Sequence, residues 1–248
     1  MTKQIWTIIE RANEFIPNSD LFIRDDEFHY LANVLRLKVA DEIAITNCSG
    51  VKALAKVEAI TKKEAKLHIL KVAIQKQARQ RVRLFLALPK PSTLEEIVAC
   101  VSEMGLDELH IFRTEKCASK APVKIEKLER ISQEAVRVSK SAFCTKIFVY
   151  ENLFEKLEIE NGVNLFCDES HVYENKPASP ILKVLQEKYD AQKNVNIIIG
   201  PEASFTEEER IFIYKNFNCT AVSLGNNILR VPNAVYSALA VALAVAAI

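Results

Sequence analysis

Residues 82–112 read VRLFLALPKPSTLEEIVACVSEMGLDELHIF. The stretch opens on an apolar run at 82–88 and closes on a second at 108–112. Between them, Thr93-Leu94-Glu95-Glu96 has the form of a capping box, helical spacing runs to about Met104, and Gly105 supplies a stop. Strand, helix and strand in that order, with both strands rich in large apolar residues, predict parallel strands buried on two faces. The pattern continues downstream. A helix is predicted over about 124–140, strands at 146–150 and 163–167, and a helix over about 179–190. An apolar run at 195–199, a short strand at 221–224 and a final helix complete the series. The fold class is therefore α/β with a parallel sheet.

Upstream the texture differs. EIAITN (42–47), VKALAKVEAI (51–60) and AKLHILKVAI (65–74) alternate or carry branched residues, and Asn47-Cys48-Ser49-Gly50 reads as a turn. A short helix is predicted over 25–37, capped by Asp25 or Asp26, with Phe28, Leu31, Val34 and Leu35 on one face. These features predict a small β-barrel domain over 1–72, followed by an α/β domain over 73–248.

Bulk composition excludes several classes. Hydrophobic residues make up 49% of the 248, enough for a core without disulfides or metal. The six cysteines form no C-x-x-C pair and the four histidines lack ligand spacing. They read as reduced thiols of a cytoplasmic protein that holds no metal. No signal-peptide stretch follows Met1. The apolar end, AVYSALAVALAVAAI (234–248), is shorter than the roughly 20 residues of a membrane span. A helix apolar on every side needs burial on every side, in a core or at a subunit interface.

Net charge is only +1, so local charge has to point to any polyanion. From Ala65 to Leu94 no acid occurs, while Lys66, Lys71, Lys76, Arg79, Arg81, Arg83 and Lys90 do. A second basic segment runs from Arg137 through Lys140 to Lys146. Such runs read either as solvated linker or as a phosphate-contacting stripe.

Residues 195–212, VNIIIGPEASFTEEERIF, end an apolar strand at Gly200, one of only five glycines. Ligands of parallel sheets sit beyond such strand ends, and glycine lets a ligand approach the backbone. There is no G-x-G-x-x-G and no phosphate loop. Thr206 and Glu209 form a capping box, and Glu207, Glu208 and Glu209 crowd the first turn. That acidity reads as a well-capped surface helix first; at a ligand site it would repel a pyrophosphate and tolerate a neutral or cationic ligand. VSLGNNILRVPNA (222–234) repeats the device: a strand ends at Gly225, and Arg230 stands as a lone cation before a proline-started helix.

The motifs LPK (88–90), SEMG (102–105), TEKC (114–117), IIGPE (198–202) and LGNNILR (224–230), with HYLANVLRLK (29–38), resemble the RsmE family in the family's order over nearly the whole chain. The resemblance implies a SPOUT-type parallel sheet with a deep trefoil knot, preceded by a PUA-like RNA-binding β-barrel. It implies S-adenosylmethionine-dependent N3-methylation of a uridine in 16S ribosomal RNA of the small subunit, the family's target being uridine 1498. It also implies a homodimer through the C-terminal helix. On this reading Cys167, Ile199, Gly200, Pro201, Glu202, Leu224, Gly225, Ile228 and Leu229 hold the cofactor. Arg230 stabilises the uridine anion. Glu202 acts either as general base or as a structural group capping the 225–229 loop. RNA contact is assigned to Arg36, Lys38, Arg79, Arg81, Arg83, Lys90, Lys116, Lys120, Arg137 and Lys140. The chain differs from the family pattern at Ala203-Ser204, where the family usually has two glycines, and at Tyr30, Lys116, Val138, Ser141, Pro232 and Asn233. The competing reading is a non-catalytic or altered-specificity RNA-binding homologue on the same fold.

Overall fold

A computed structural model describes residues 7–10, 14–77, 81–117, 119–153, 159, 162–170 and 177–246. Two compact units emerge, 1–77 with 133–144, and 78–132 with 145–248.

The first unit is a curled five-stranded sheet, a half-barrel, in the order β1-β3-β4-β5-β2. Its strands are β1 (Thr7–Ile9), β2 (Asp20–Ile23), β3 (Glu42–Thr46), β4 (Val51–Ile60) and β5 (Ala65–Ile74). Alternation sends Ala53, Ala55 and Val57 of β4, and Ala65, Leu67 and Ile69 of β5, into one core with Ile8, Ile23, Ile43 and Ile45. The β3–β4 turn works as its composition predicts. The Asn47 side chain accepts from the N–H groups of Ser49 and Val51 at 2.8 and 3.0 Å. Gly50, at φ +101°, sits where a Cβ would lie 2.6 Å from the Gln75 carbonyl.

The helix after β2 is shorter than predicted. Helix α1 covers Asp25–His29 and passes into a π-turn, Tyr30–Val34. Arg24, not an aspartate, occupies the N-cap and makes no side-chain bond there. The π-turn breaks the expected face: Leu31 is buried but Val34 is 59% exposed. Asp20, Glu58 and His68 converge on the sheet, although sequence spacing gave His68 no partners. Lys66 Nζ lies 2.8 Å from both carboxylates and accounts for their approach.

The second unit is a seven-stranded, wholly parallel sheet in the order β10-β12-β9-β11-β6-β7-β8. Its strands are β6 (Val82–Ala87), β7 (Glu108–Phe112), β8 (Lys146–Tyr150), β9 (Gly162–Cys167), β10 (Ser179–Pro180), β11 (Asn194–Ile199) and β12 (Thr220–Ser223). Its helices are α2 (Pro91–Met104), the part of α3 (Ile125–Ser139) that precedes residue 133, α4 (Ile181–Lys188), α5 (Glu207–Phe217) and α6 (Val231–Ala246). Leu84, Leu109, Leu165 and Ile197 face a core shared with α2, α4 and α6. Phe85, Phe112, Phe166 and Ile198 face the opposite side, against Phe205 and against Ile213 and Phe217 of α5.

Helix α2 begins two residues before the expected capping box. Pro91 takes the first helical position and holds Lys90 extended, at φ −59° and ψ 147°. Gly105 closes the helix at φ +89°, with Gly105 N–H to Ser102 O and Leu106 N–H to Val101 O. Among the described residues no helix is long and apolar enough to cross a membrane. Helix α6 buries Val235, Ala238, Leu239 and Ala242 in its own core and leaves Asn233, Ser237, Ala240 and Ala244 exposed. Its apolar composition is thus met on one face by this chain.

One row of the sheet is polar. Asn164, Asn196, Arg83, Glu108 and Lys146 stand opposite one another across β9, β11, β6, β7 and β8. Asn196 Nδ2 donates to Asn164 Oδ1 at 2.6 Å, and Arg83 Nε donates to Asn196 Oδ1 at 2.8 Å. Arg81 Nη1 donates to Glu108 Oε1 at 2.7 Å. Burial alone would raise the Glu108 pKa; hydrogen bonds from His110 and Arg81 overcome it and hold the carboxyl below its ordinary range.

His110 lies between Phe85 and Phe148, with ring centroids 4.4 and 4.7 Å away. Its Nε2 faces Glu108 Oε2 at 3.2 Å and its Nδ1 faces the Tyr150 hydroxyl at 3.0 Å. A neutral imidazole satisfies both contacts, and burial pushes its pKa below the ordinary 6.5. The unfolded chain therefore binds more protons than the folded one as pH falls below about 6.5, and stability falls with it. Urea unfolding at pH 7 and pH 5.5 should show this loss, and His110→Phe, which keeps the stack, should flatten it. An unchanged pH slope in His110→Phe would assign the loss to other groups.

Candidate active site

Four neighbouring strands, β12, β9, β11 and β6, end together at one cavity of about 600 Å³. This is the carboxyl end of the sheet, where a parallel α/β unit presents its loops. The volume suits a ligand of cofactor size. Cys167 closes β9, Ile199 closes β11, and Gly200, Pro201 and Glu202 follow it. Leu224, Ile228, Leu229 and Arg230 come from the segment between β12 and α6. Of the residues expected to hold a ligand, only Gly225 is not on the wall. It shapes the segment behind it, at φ +131°, with its N–H donating to Ser223 Oγ and its carbonyl accepting from the same hydroxyl.

The wall is largely apolar, with charge at defined points. Glu96, Asp168, Glu169 and Glu202 contribute carboxylates; Lys90 and Arg230 contribute cations. Asp168 is 2% exposed and accepts from the Tyr214 hydroxyl at 3.1 Å and the Ser170 N–H at 3.0 Å. Burial, then the Asp168 charge, pushes the Tyr214 phenol upward, so it stays a donor. Burial pushes the Cys167 thiol up to about 12, which makes it a neutral wall group and not a nucleophile. The Tyr236 hydroxyl of α6 donates to Glu96 of α2 at 3.4 Å, and burial raises its pKa as well. Arg230 is exposed, and among the described residues no carboxylate pairs with its guanidinium.

Three roles change on inspection. Gly200 lines the cavity with its backbone, but its missing side chain leaves no space for a ligand: a Cβ there would lie 2.8 Å from the Phe205 ring, which is itself 3% exposed. The glycine makes room for Phe205, and Gly200→Ala should cost about 1–3 kcal/mol in urea unfolding through overpacking. Stability equal to that of the unmodified protein would show that the ring moves aside freely. Glu202 does not cap the 225–229 loop; its Oε1 accepts from the Lys90 backbone N–H at 3.4 Å. Of the three first-turn glutamates, Glu209 is buried. It completes the capping box with Thr206 and also accepts from the Glu115 N–H at 2.9 Å. Only Glu207 and Glu208 are exposed there.

Folding withdraws part of the basic stripe, while Lys71, Lys76 and Lys90 stay exposed. Arg83 is 5% exposed and bound to Asn196, so it is closed to phosphate. Arg81 pairs with Glu108. Arg137 pairs with Glu27 and Glu134 and lies over the Tyr30 ring, 4.6 Å from its centroid. Arg79 lies outside the described residues. Arg36, Lys38, Lys90, Lys116, Lys120 and Lys140 are exposed and remain available to an anion.

Sequence reasoning missed Thr93, Glu96, Asp168, Glu169 and Asn227 on the wall. Asp168 and Glu169 had a signal, since they directly follow an apolar strand as Gly200 does. Thr93 and Glu96 were hidden by their reading as a helix cap.

Comparison with known proteins fits this geometry. Residues 76–243 match the RNA methyltransferase domain, and residues 23–70 match the RNA methyltransferase PUA domain. A Rickettsia conorii protein named ribosomal RNA small subunit methyltransferase E is 26% identical over 87% of this chain and 86% of its own. Ribosomal RNA small subunit methyltransferase E 2 of Borreliella burgdorferi is 27% identical over 92% and 91%. The crystal structure of a ribosomal RNA small subunit methyltransferase E from Neisseria gonorrhoeae, bound to S-adenosylmethionine, shares the fold. Its TM-score is 0.80 at 19% identity, covering 96% of each chain. With a cavity at the carboxyl end of a parallel sheet and two-thirds of its length matched by one domain model, the chain belongs to the RNA methyltransferase family.

Proposed function

We propose that this protein transfers the methyl group of S-adenosylmethionine to N3 of a uridine in 16S ribosomal RNA, uridine 1498 being the family's target. The observation that carries the reading is the cavity itself, with a mostly apolar wall, carboxylates at its edge and no phosphate-binding loop. That donor set suits an organic cation and disfavours a pyrophosphate. Ile199, Pro201, Leu224, Ile228 and Leu229 would hold the cofactor, which supplies an activated methyl group on a sulfonium.

Uridine N3 carries a proton at neutral pH and is then a poor nucleophile. Arg230 opposes the negative charge that spreads over N3 and the flanking carbonyls as that proton leaves. Glu202 is exposed at the cavity edge and is the group to accept the proton. The walls fix the uracil in line with the methyl donor, and a base within folded RNA must leave its stack to enter.

The reading brings with it the trefoil knot of the resemblance, a cytoplasmic site of action with the ribosome, and a homodimer. The exposed small residues of α6, Asn233, Ser237, Ala240 and Ala244, form the face on which a second copy would pack. Incubation with labelled cofactor and small-subunit RNA tests the activity, with mass mapping of the product. Label on N3 of one uridine is expected. RNA binding without transfer of label would mark a non-catalytic homologue instead.

A further inference from the structure

We infer that Arg210 is a positioning residue for the cavity: it ties the turn carrying Pro201 and Glu202 to Asp168 and holds Ser204 in a backbone conformation that serine does not keep by itself. The inference rests on the cavity being the cofactor site proposed above.

Ser204 has φ +63°, in the left-handed region where a Cβ crowds the neighbouring carbonyl and glycine is favoured. Its N–H donates to the Pro201 carbonyl at 3.1 Å, closing the turn that presents Pro201 and Glu202 to the cavity. A strained residue persists only where its surroundings hold it. Here the hold is visible. Arg210 Nη2 donates to Ser204 Oγ at 2.8 Å.

The same guanidinium reaches the other wall. Arg210 is 6% exposed, and its Nε lies 3.5 Å from Asp168 Oδ1. Asp168 lines the cavity and is fixed from behind by Tyr214 and Ser170. The Glu169 and Glu207 carboxylates stand 3.9 Å from the guanidinium. One planar fork thus spans the end of β9 and the turn after β11, two segments that are not adjacent in sequence. A lysine has the charge but offers all its donors from one nitrogen, so it does not reproduce the span between Nε beside Asp168 and Nη2 beside Ser204. Arg210 is not on the cavity wall; it acts through the groups it holds.

The test uses single and paired variants. Ser204→Ala removes the acceptor but keeps the strain, Arg210→Lys keeps the charge but loses the span, and Ser204→Gly removes the strain. Ser204→Ala and Arg210→Lys should each weaken S-adenosylmethionine binding about tenfold by calorimetry, whereas Arg210→Lys in the Ser204→Gly background should cost no more than about twofold. Deuterium exchange of the amides at 200–206 should rise in the first two variants and return to its original level in the double variant. Equal losses for Arg210→Lys in both backgrounds would overturn the inference, as would unchanged exchange in the turn. If the unmodified protein binds no S-adenosylmethionine, the cofactor reading fails. The exchange pattern then decides on the tether alone, a rise reversed by Ser204→Gly supporting it and a flat profile ending it.

Discussion

Methyl transfer to small-subunit RNA is expected to fall about a hundredfold or more in Arg230→Ala, the scale on which a preorganised donor to developing negative charge acts. Cofactor affinity should stay within about twofold, because the guanidinium answers charge that appears only as N3 loses its proton. The structure makes this separation testable. Arg230 sits on the cavity wall, exposed, and among the described residues no carboxylate pairs with its guanidinium. Its removal leaves no buried anion behind, so thermal stability should not move. Arg230→Lys should recover part of the rate, since charge matters here more than a planar fork. Single-turnover transfer under saturating cofactor, with affinity by calorimetry, separates the two effects. Full activity in Arg230→Ala would remove the catalytic assignment and leave Glu202 as the next group to replace.

Leu239→Lys should destroy the fold. Leu239 is fully buried where α6 packs on α2, α4, β6 and β11. Losing a buried leucine side chain costs about 2–5 kcal/mol, and an unpaired ammonium in its place adds several more. A domain of ordinary stability has about 5–15 kcal/mol to lose. Loss of the cooperative thermal transition is the expected result. The companion variant is Ala240→Lys, one residue along on the exposed face. It should keep its melting temperature while light scattering shows a fall from dimer to monomer mass. A well-folded Leu239→Lys would contradict the packing, and an unmodified protein that scatters as a monomer would end the interface proposal.

The strand–helix alternation of the second unit was legible because its strands are dense in large apolar residues despite the polar positions among them, and Gly105 marks a helix end. Strands β1, β2 and β10 were not, because two to four residues carry little periodicity and their pairing comes from distant partners. The charge stripe misled for a related reason. A count along the chain finds no acid near Arg83, yet Glu108 and Asn196 meet it across the sheet. Gly200 is on the cavity wall, but the reason for a glycine there was not legible, because the space beside it is filled by Phe205. Arg210 gave no signal, because its importance lies in joining Ser204 to Asp168, and neither separation is a helical or strand period. The two cavity-forming segments were found because each combines a glycine with a strand end, a pairing that local physics makes uncommon.

The polar row across the sheet also carries information about assembly. Strand β11 lies between β9 and β6, although β7, β8 and β10 all precede it in the chain. Asn196 offers opposite ends of one amide to its two neighbours, the NH₂ to Asn164 and the carbonyl to Arg83. The two sides of the slot are therefore distinguishable. Asparagine 164 presents an oxygen and Arg83 a donor, so the incoming strand can tell left from right. A slip of one residue would turn Asn196 to the other face and leave Arg83 without that acceptor in a closed interior. Apolar residues in the row would serve burial equally well in several alignments. The amide instead acts as a key cut for one lock, admitting the last central strand in one position and one register.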